Sequence, residues 1–99
     1  MEKQLVQYDF PGMTEQQYDQ VWEELRRAGQ TYPSGLIHHV STFQNNNCLV
    51  IDVWESAEAF DRFGQILMPI MDKLRIYNVQ HKRAPVHYEY SGVETHVAY

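Results

Sequence analysis

The sequence has a single cysteine, Cys48, in 99 residues. One thiol excludes an internal disulfide, so the fold rests on its core, and the chain fits a reducing compartment. Cys48 opens an apolar run and reads as a buried, inert thiol. Basic residues are also scarce, with 8 Lys and Arg against 13 Asp and Glu, and a net charge of −5. Phosphate binding needs a basic patch, and the longest basic cluster is only His81-Lys82-Arg83. No run approaches the roughly 20 apolar residues of a membrane span. Met1-Glu2-Lys3-Gln4 does not resemble a secretory signal. Gly-rich phosphate loops, Ser or Cys nucleophile motifs, a Rossmann fingerprint and a His-x-x-x-His pair are all missing. These absences point to a cytoplasmic protein with no nucleic-acid or membrane partner and no haem, flavin or metal cofactor.

Apolar residues are plentiful: 43% of the chain is hydrophobic and 13% aromatic. The length suits one domain spanning 1–99. A core this small gains from burying aromatics against a second copy, a first hint of a homodimer.

The chain punctuates itself clearly at its start. Lys3 to Phe10 alternates as a strand, with Leu5, Gln7 and Asp9 on one side and Val6, Tyr8 and Phe10 on the other. Pro11-Gly12 ends it. Thr14 and Gln17 form a capping box, Met13 and Tyr18 a hydrophobic staple, and Tyr18, Val21, Trp22 and Leu25 the apolar stripe of a helix that stops at Gly29. Leu36 to Phe43 and Cys48 to Trp54 read as an antiparallel hairpin around Asn45-Asn46-Asn47. Ser56 caps a second helix carrying Phe60, Phe63 and Leu67, which Pro69 should interrupt before a short extra turn. Tyr77 to Ala84 reads as irregular, and Pro85 to Tyr90 as the last strand.

The order β-α-β-β-α-β predicts an α+β, ferredoxin-like fold: a four-stranded antiparallel sheet with both helices on one face. RNA-binding domains share this order but need exposed aromatic and basic residues on the third strand. Cys48-Leu49-Val50-Ile51-Asp52-Val53-Trp54-Glu55 in an acidic chain excludes that reading.

If Phe43 pairs with Cys48, His39 lies opposite Asp52 and Ile37 opposite Trp54. Leu36, Val40, Leu49, Ile51 and Val53 then share one face, expected to pack on the helices. His39, Ser41, Val50, Asp52 and Trp54 share the other, expected to be open and to wall a cavity between two sheets.

Val50-Ile51-Asp52-Val53-Trp54-Glu55-Ser56 with Ala59-Phe60 and Phe63 resembles the strand-into-helix signature of the dimeric α+β barrel superfamily, which includes antibiotic-biosynthesis monooxygenase-like proteins. The likeness extends to Phe10-Pro11-Gly12, Gly35-Leu36 with His39-Val40, Leu67-Met68-Pro69 and Pro85-Val86-His87, and is nearest to short uncharacterised bacterial members. It implies a homodimer whose two sheets form one barrel, with a cavity beside each sheet. Its members include cofactor-free oxygenases, haem-degrading enzymes, cyclases, decarboxylases and proteins of no known activity, so the fold alone does not choose a chemistry. The haem-degrading pattern is not matched, since its places hold Tyr8, Phe63 and Lys73.

The residues themselves nominate His39 and Asp52 as a catalytic pair, because a carboxylate beside an imidazole orients it and supports proton transfer. Trp54 would offer a flat apolar wall to a ligand, and His87 would reach the same cavity from the last strand. His39, Asp52 and His87 are acceptable metal ligands, yet no paired spacing joins them and no metal site is assigned. His38 is expected at the helix side or an edge, and His81 and His96 in solvent. The resulting expectation is a small-molecule-binding protein, acting as a cofactor-independent monooxygenase-like enzyme on a small aromatic or hydrophobic substrate. The alternative is a non-catalytic ligand-binding or structural dimer.

Overall fold

A computed structural model describes residues 2–92. Its elements are β1 (Gln4–Pro11), α1 (Glu15–Arg27), β2 (Leu36–Gln44), β3 (Asn47–Trp54), α2 (Ala57–Lys73) and β4 (Gln80–Pro85). The strands form one antiparallel sheet in the order β2-β3-β1-β4. This is the α+β, ferredoxin-like arrangement that the element order implies. His96 lies outside the described residues.

The local chemistry of α1 is as expected. The Gln17 amide donates to Thr14 Oγ1 at 3.1 Å, and the Thr14 amide donates to Gln17 Oε1 at 2.9 Å. Each satisfies a donor that the first helical turn leaves free. The β2–β3 turn is tighter than expected. Gln44 pairs with Asn47, leaving a two-residue loop in which Asn45 and Asn46 both have positive φ, as a type I′ turn requires.

Two expected boundaries are corrected. Helix α2 continues through Pro69 to Lys73. An internal proline costs about 3 kcal/mol, but stopping there would uncover Ile70 and Met71, which extend the buried stripe of Phe60, Phe63 and Leu67. The last strand is Gln80–Pro85 rather than Pro85–Tyr90. Every residue of β4 is exposed, so this edge strand shows no alternation to read. His81-Lys82-Arg83 is therefore part of a strand, with His81 opposite Tyr8 and Arg83 opposite Val6.

The larger correction concerns which face meets the helices. The hairpin register is as expected from Phe43↔Cys48 to His39↔Asp52. Strand β3 also pairs with β1, placing Cys48 opposite Phe10, Val50 opposite Tyr8 and Asp52 opposite Val6. Residues directly opposite in a ladder point to the same side. The core therefore takes Val6, Tyr8, Phe10, Cys48, Val50, Asp52 and Trp54, and Val40, Leu49, Ile51 and Val53 lie on the uncovered face. Near its start β2 bulges: Leu36, not Ile37, pairs with Trp54, and the extra residue returns Leu36 to the helix side. Gly35 makes this entry possible. Its φ is +88°, and a Cβ there would stand 2.5 Å from the Ala59 Cβ.

Candidate functional site

The helix-facing side of β2 and β3 carries one polar pair inside an aromatic shell. His39 Nδ1 lies 2.6 Å from Asp52 Oδ1, and His39 Nε2 lies 2.7 Å from the Tyr18 hydroxyl. A carboxylate only accepts, so the imidazole donates from Nδ1. In the neutral ring Nε2 is then an acceptor, and Tyr18 donates to it. The three side chains form a chain, Asp52–His39–Tyr18, running from the sheet to α1.

Each member is held by its element. Asp52 and His39 face each other across the β2–β3 ladder, and Asp52 is 3% exposed. Its burial is tolerable because the imidazole supplies a charge-assisted hydrogen bond, a class worth about 1.5–3 kcal/mol. Tyr18 follows the capping box directly, with its amide bonded to the Thr14 carbonyl at 3.0 Å. The staple position that makes it a packing residue also aims its hydroxyl at the sheet. Trp22, one turn further, meets the imidazole edge-on at 5.2 Å between ring centroids, and Phe43 meets the Tyr18 ring edge-on at 5.8 Å. Sequence reasoning assigned Tyr18 and Trp22 to the core stripe and missed their contact with His39. The signal was available: a helix stripe that packs on the sheet must touch whatever that face of β2 presents.

Tyr8 is the second phenol of this region. Burial, reinforced by the nearby Asp52 carboxylate, holds its hydroxyl well above the ordinary tyrosine range. Its hydroxyl therefore stays protonated through the ordinary tyrosine range.

Between helices and sheet lies a narrow cavity of about 40 Å³, whose walls include Tyr8, Tyr18, Trp22, Leu36, His39 and Asp52. A water needs about 10–15 Å³, so this space suits a few waters or one end of a molecule. A larger groove of about 420 Å³ runs between α2 and β4, past Phe60, His81 and Arg83. Tyr8, Leu67 and Met71 line both spaces.

Of the nominated residues, the fold brings together His39 and Asp52. They face the helices of their own chain, not the open face. Trp54 shares that side but is fully buried against Phe63, at 4.9 Å between ring centroids, and Phe60; it does not line the cavity. His87 follows β4, is exposed and stands apart from the pair. His38 takes the open face near the sheet edge, 2.9 Å from the Glu89 carboxylate. His81 is exposed at its backbone strand, although its ring lies 5.9 Å from that of Tyr8. Cys48 is fully buried, and burial pushes its thiol up. Among the described residues, no helix is long and apolar enough to cross a membrane.

No protein-family model matches the chain, and no curated protein resembles it in sequence. Solved structures do match its fold. A dimeric ferredoxin-like protein from an uncultured marine organism aligns with a TM-score of 0.63 at 16% identity, over 94% of this chain and 95% of its own. A variant of SnoaB, a cofactor-independent oxygenase from Streptomyces nogalater, aligns at 0.63 and 18%, over 89% and 95%. A protein of unknown function from Nitrosomonas europaea aligns at 0.68 and 9%, over 94% and 97%. Antibiotic-biosynthesis monooxygenase-like proteins are also among the neighbours. At these identities the shared property is the fold.

Proposed function

We propose that this chain, which shares the fold of dimeric ferredoxin-like and antibiotic-biosynthesis monooxygenase-like proteins, is a cytoplasmic, small-molecule-binding homodimer with a proton-transfer site at Asp52–His39. Its chemistry is that of a cofactor-independent monooxygenase-like enzyme acting on a compact aromatic or hydrophobic substrate. The observation that carries this reading is the buried carboxylate bonded to an imidazole whose other nitrogen faces a hydroxyl at a cavity wall. An Asp-oriented histidine is a competent general base. Removing a proton from an activated CH₂ leaves an electron-rich carbanion, which dioxygen can oxidise. The CH₂ becomes C=O and the second oxygen atom leaves as water. The apolar body of the substrate uses the neighbouring groove, which shares Tyr8, Leu67 and Met71 with the cavity as walls.

The uncovered sheet face supports the homodimer. Leu5 and Val40 are 38% and 63% exposed there, beside half-buried Leu49, Ile51 and Val53. An apolar patch of this kind on a small domain marks an interaction surface, and a two-fold axis would set it against itself.

One observation favours a second reading, a non-catalytic dimer. The cavity beside His39, at about 40 Å³, suits a few waters, and the Asp52–His39–Tyr18 chain would then only satisfy buried polar groups. Oxygen uptake with a panel of hydroxylated naphthalenes and benzylic ketones separates the two. Uptake that falls at least tenfold in His39→Ala and Asp52→Asn supports the enzyme. Ligand-induced thermal stabilisation without uptake identifies the binder.

A further inference from the structure

We propose that Tyr18, rather than His39, is the residue that meets the substrate, its hydroxyl passing protons between the cavity and the Asp52–His39 pair. The inference rests on reading that pair as a proton-transfer site. His39 has no free nitrogen to offer: Nδ1 is taken by Asp52 at 2.6 Å and Nε2 by the Tyr18 hydroxyl at 2.7 Å. Its ring is further enclosed by Trp22 edge-on and by Tyr18, whose ring lies nearly parallel to it with centroids 6.2 Å apart. A substrate in the cavity therefore reaches the base through the phenol that stands on it. The arrangement has the logic of an Asp-His-Ser chain, with a phenol as the terminal hydroxyl.

The proton balance is simple. A substrate O–H or activated C–H bond breaks and a new O–H bond forms on Tyr18. The original Tyr18 proton moves to His39 Nε2, and the resulting imidazolium lies against the Asp52 carboxylate. Reversal returns the proton to the same or a different atom of the substrate. The substrate class is thus a phenol or an enolisable carbonyl compound, presented hydroxyl or carbonyl end first into the narrow cavity.

The four exposed tyrosines among the described residues provide a built-in comparison. Tyr32, Tyr77, Tyr88 and Tyr90 are 90%, 60%, 78% and 78% exposed, whereas Tyr18 is half-buried. Exposure alone would make Tyr18 react more slowly than these four. Activation by His39 reverses that order.

The test uses a small aryl sulfonyl fluoride with the full chain and maps modified peptides by mass spectrometry. In the reaction the Tyr18 oxygen bonds to sulfur, the S–F bond breaks, fluoride leaves and the phenol proton passes to His39. The inference predicts that Tyr18 labels at least tenfold faster than the four exposed tyrosines. It also predicts that His39→Gln and Asp52→Asn, checked for folding by circular dichroism, remove the advantage. Labelling of the exposed tyrosines first, with Tyr18 unaffected by either folded variant, overturns it. Tyr18→Phe in the oxygen-uptake assay separates this inference from the function it rests on. Full uptake in Tyr18→Phe with loss in His39→Ala overturns the role of Tyr18 and leaves the pair standing. Fast, His39-dependent labelling supports activation of Tyr18 even if no tested compound consumes oxygen, in which case oxygenation of that substrate class is the part that falls.

Discussion

His39 Nδ1 lies 2.6 Å from Asp52 Oδ1, across a strand pair whose register sets the two residues directly opposite. Asp52 is almost wholly buried, whereas the His39 side chain retains 23% exposure. The two members of the pair should therefore respond differently to removal.

His39→Ala strands a buried carboxylate. It should cost about 2–3 kcal/mol in urea unfolding, below the 3–5 kcal/mol of fully buried pairs because water can reach the vacated site. Asp52→Asn keeps a hydrogen-bonding oxygen and should cost only about 1–2 kcal/mol. Equal small losses in both variants would contradict a buried, mutually dependent pair.

Much of this fold was legible in the sequence, and the orientation of the sheet was not. Helix α1 could be read from Thr14 to Gly29 because caps and stripe agree at every position. The register from Phe43↔Cys48 to His39↔Asp52 followed from sorting side chains between the two faces, and not from the turn, which is shorter than expected. The face assignment failed because it weighed β2 and β3 alone, where aliphatic residues seem the natural partners of helices. Strand β1 decides the matter: Val6, Tyr8 and Phe10 point one way against Leu5, Gln7 and Asp9, and β3 is paired to it. Asp52 tolerates the core because His39 is there, a compensation that only the assembled sheet reveals. The aliphatic face was left for another partner. Strand β4 was misplaced because a fully exposed edge has no periodicity.

The buried phenol of Tyr8 predicts a stability loss in alkali. Its folded-state value is raised above the ordinary one near 10. Below that pH both states bind the proton, and stability is unaffected. Above it the unfolded chain releases the proton while the folded chain retains it, so stability falls as pH rises. Tyr8→Phe should flatten that alkaline decline in thermal unfolding. An unchanged decline in the variant would assign it to other groups.

Trp54 is fully buried, yet among the described residues its indole N–H has no hydrogen-bond partner. Trp54→Phe loses some packing but also removes that orphan donor, and should cost less than about 1.5 kcal/mol. Trp54→Ala opens a large cavity and should cost about 3–5 kcal/mol. Chemical denaturation of the two variants compares them directly. A Trp54→Phe loss as large as that of Trp54→Ala would mean that the indole N–H is satisfied.

The open sheet face predicts a dimer. Light scattering at micromolar concentration should report about twice the chain mass of 11.7 kDa. Ile51→Lys sets a charge in the centre of that face and should yield a folded monomer. A wild-type monomer would remove the sheet-to-sheet interface.

The central claim is that Asp52, His39 and Tyr18 form a directional proton path, and the ¹⁵N NMR shifts of the His39 ring test it most directly. The measurement is made at about pH 8, above the ordinary histidine range. The account predicts a protonated Nδ1 and an unprotonated, hydrogen-bonded Nε2 whose shift moves in Tyr18→Phe. A proton resting on Nε2, with Nδ1 bare and no response to Tyr18→Phe, would contradict the path and the function built on it.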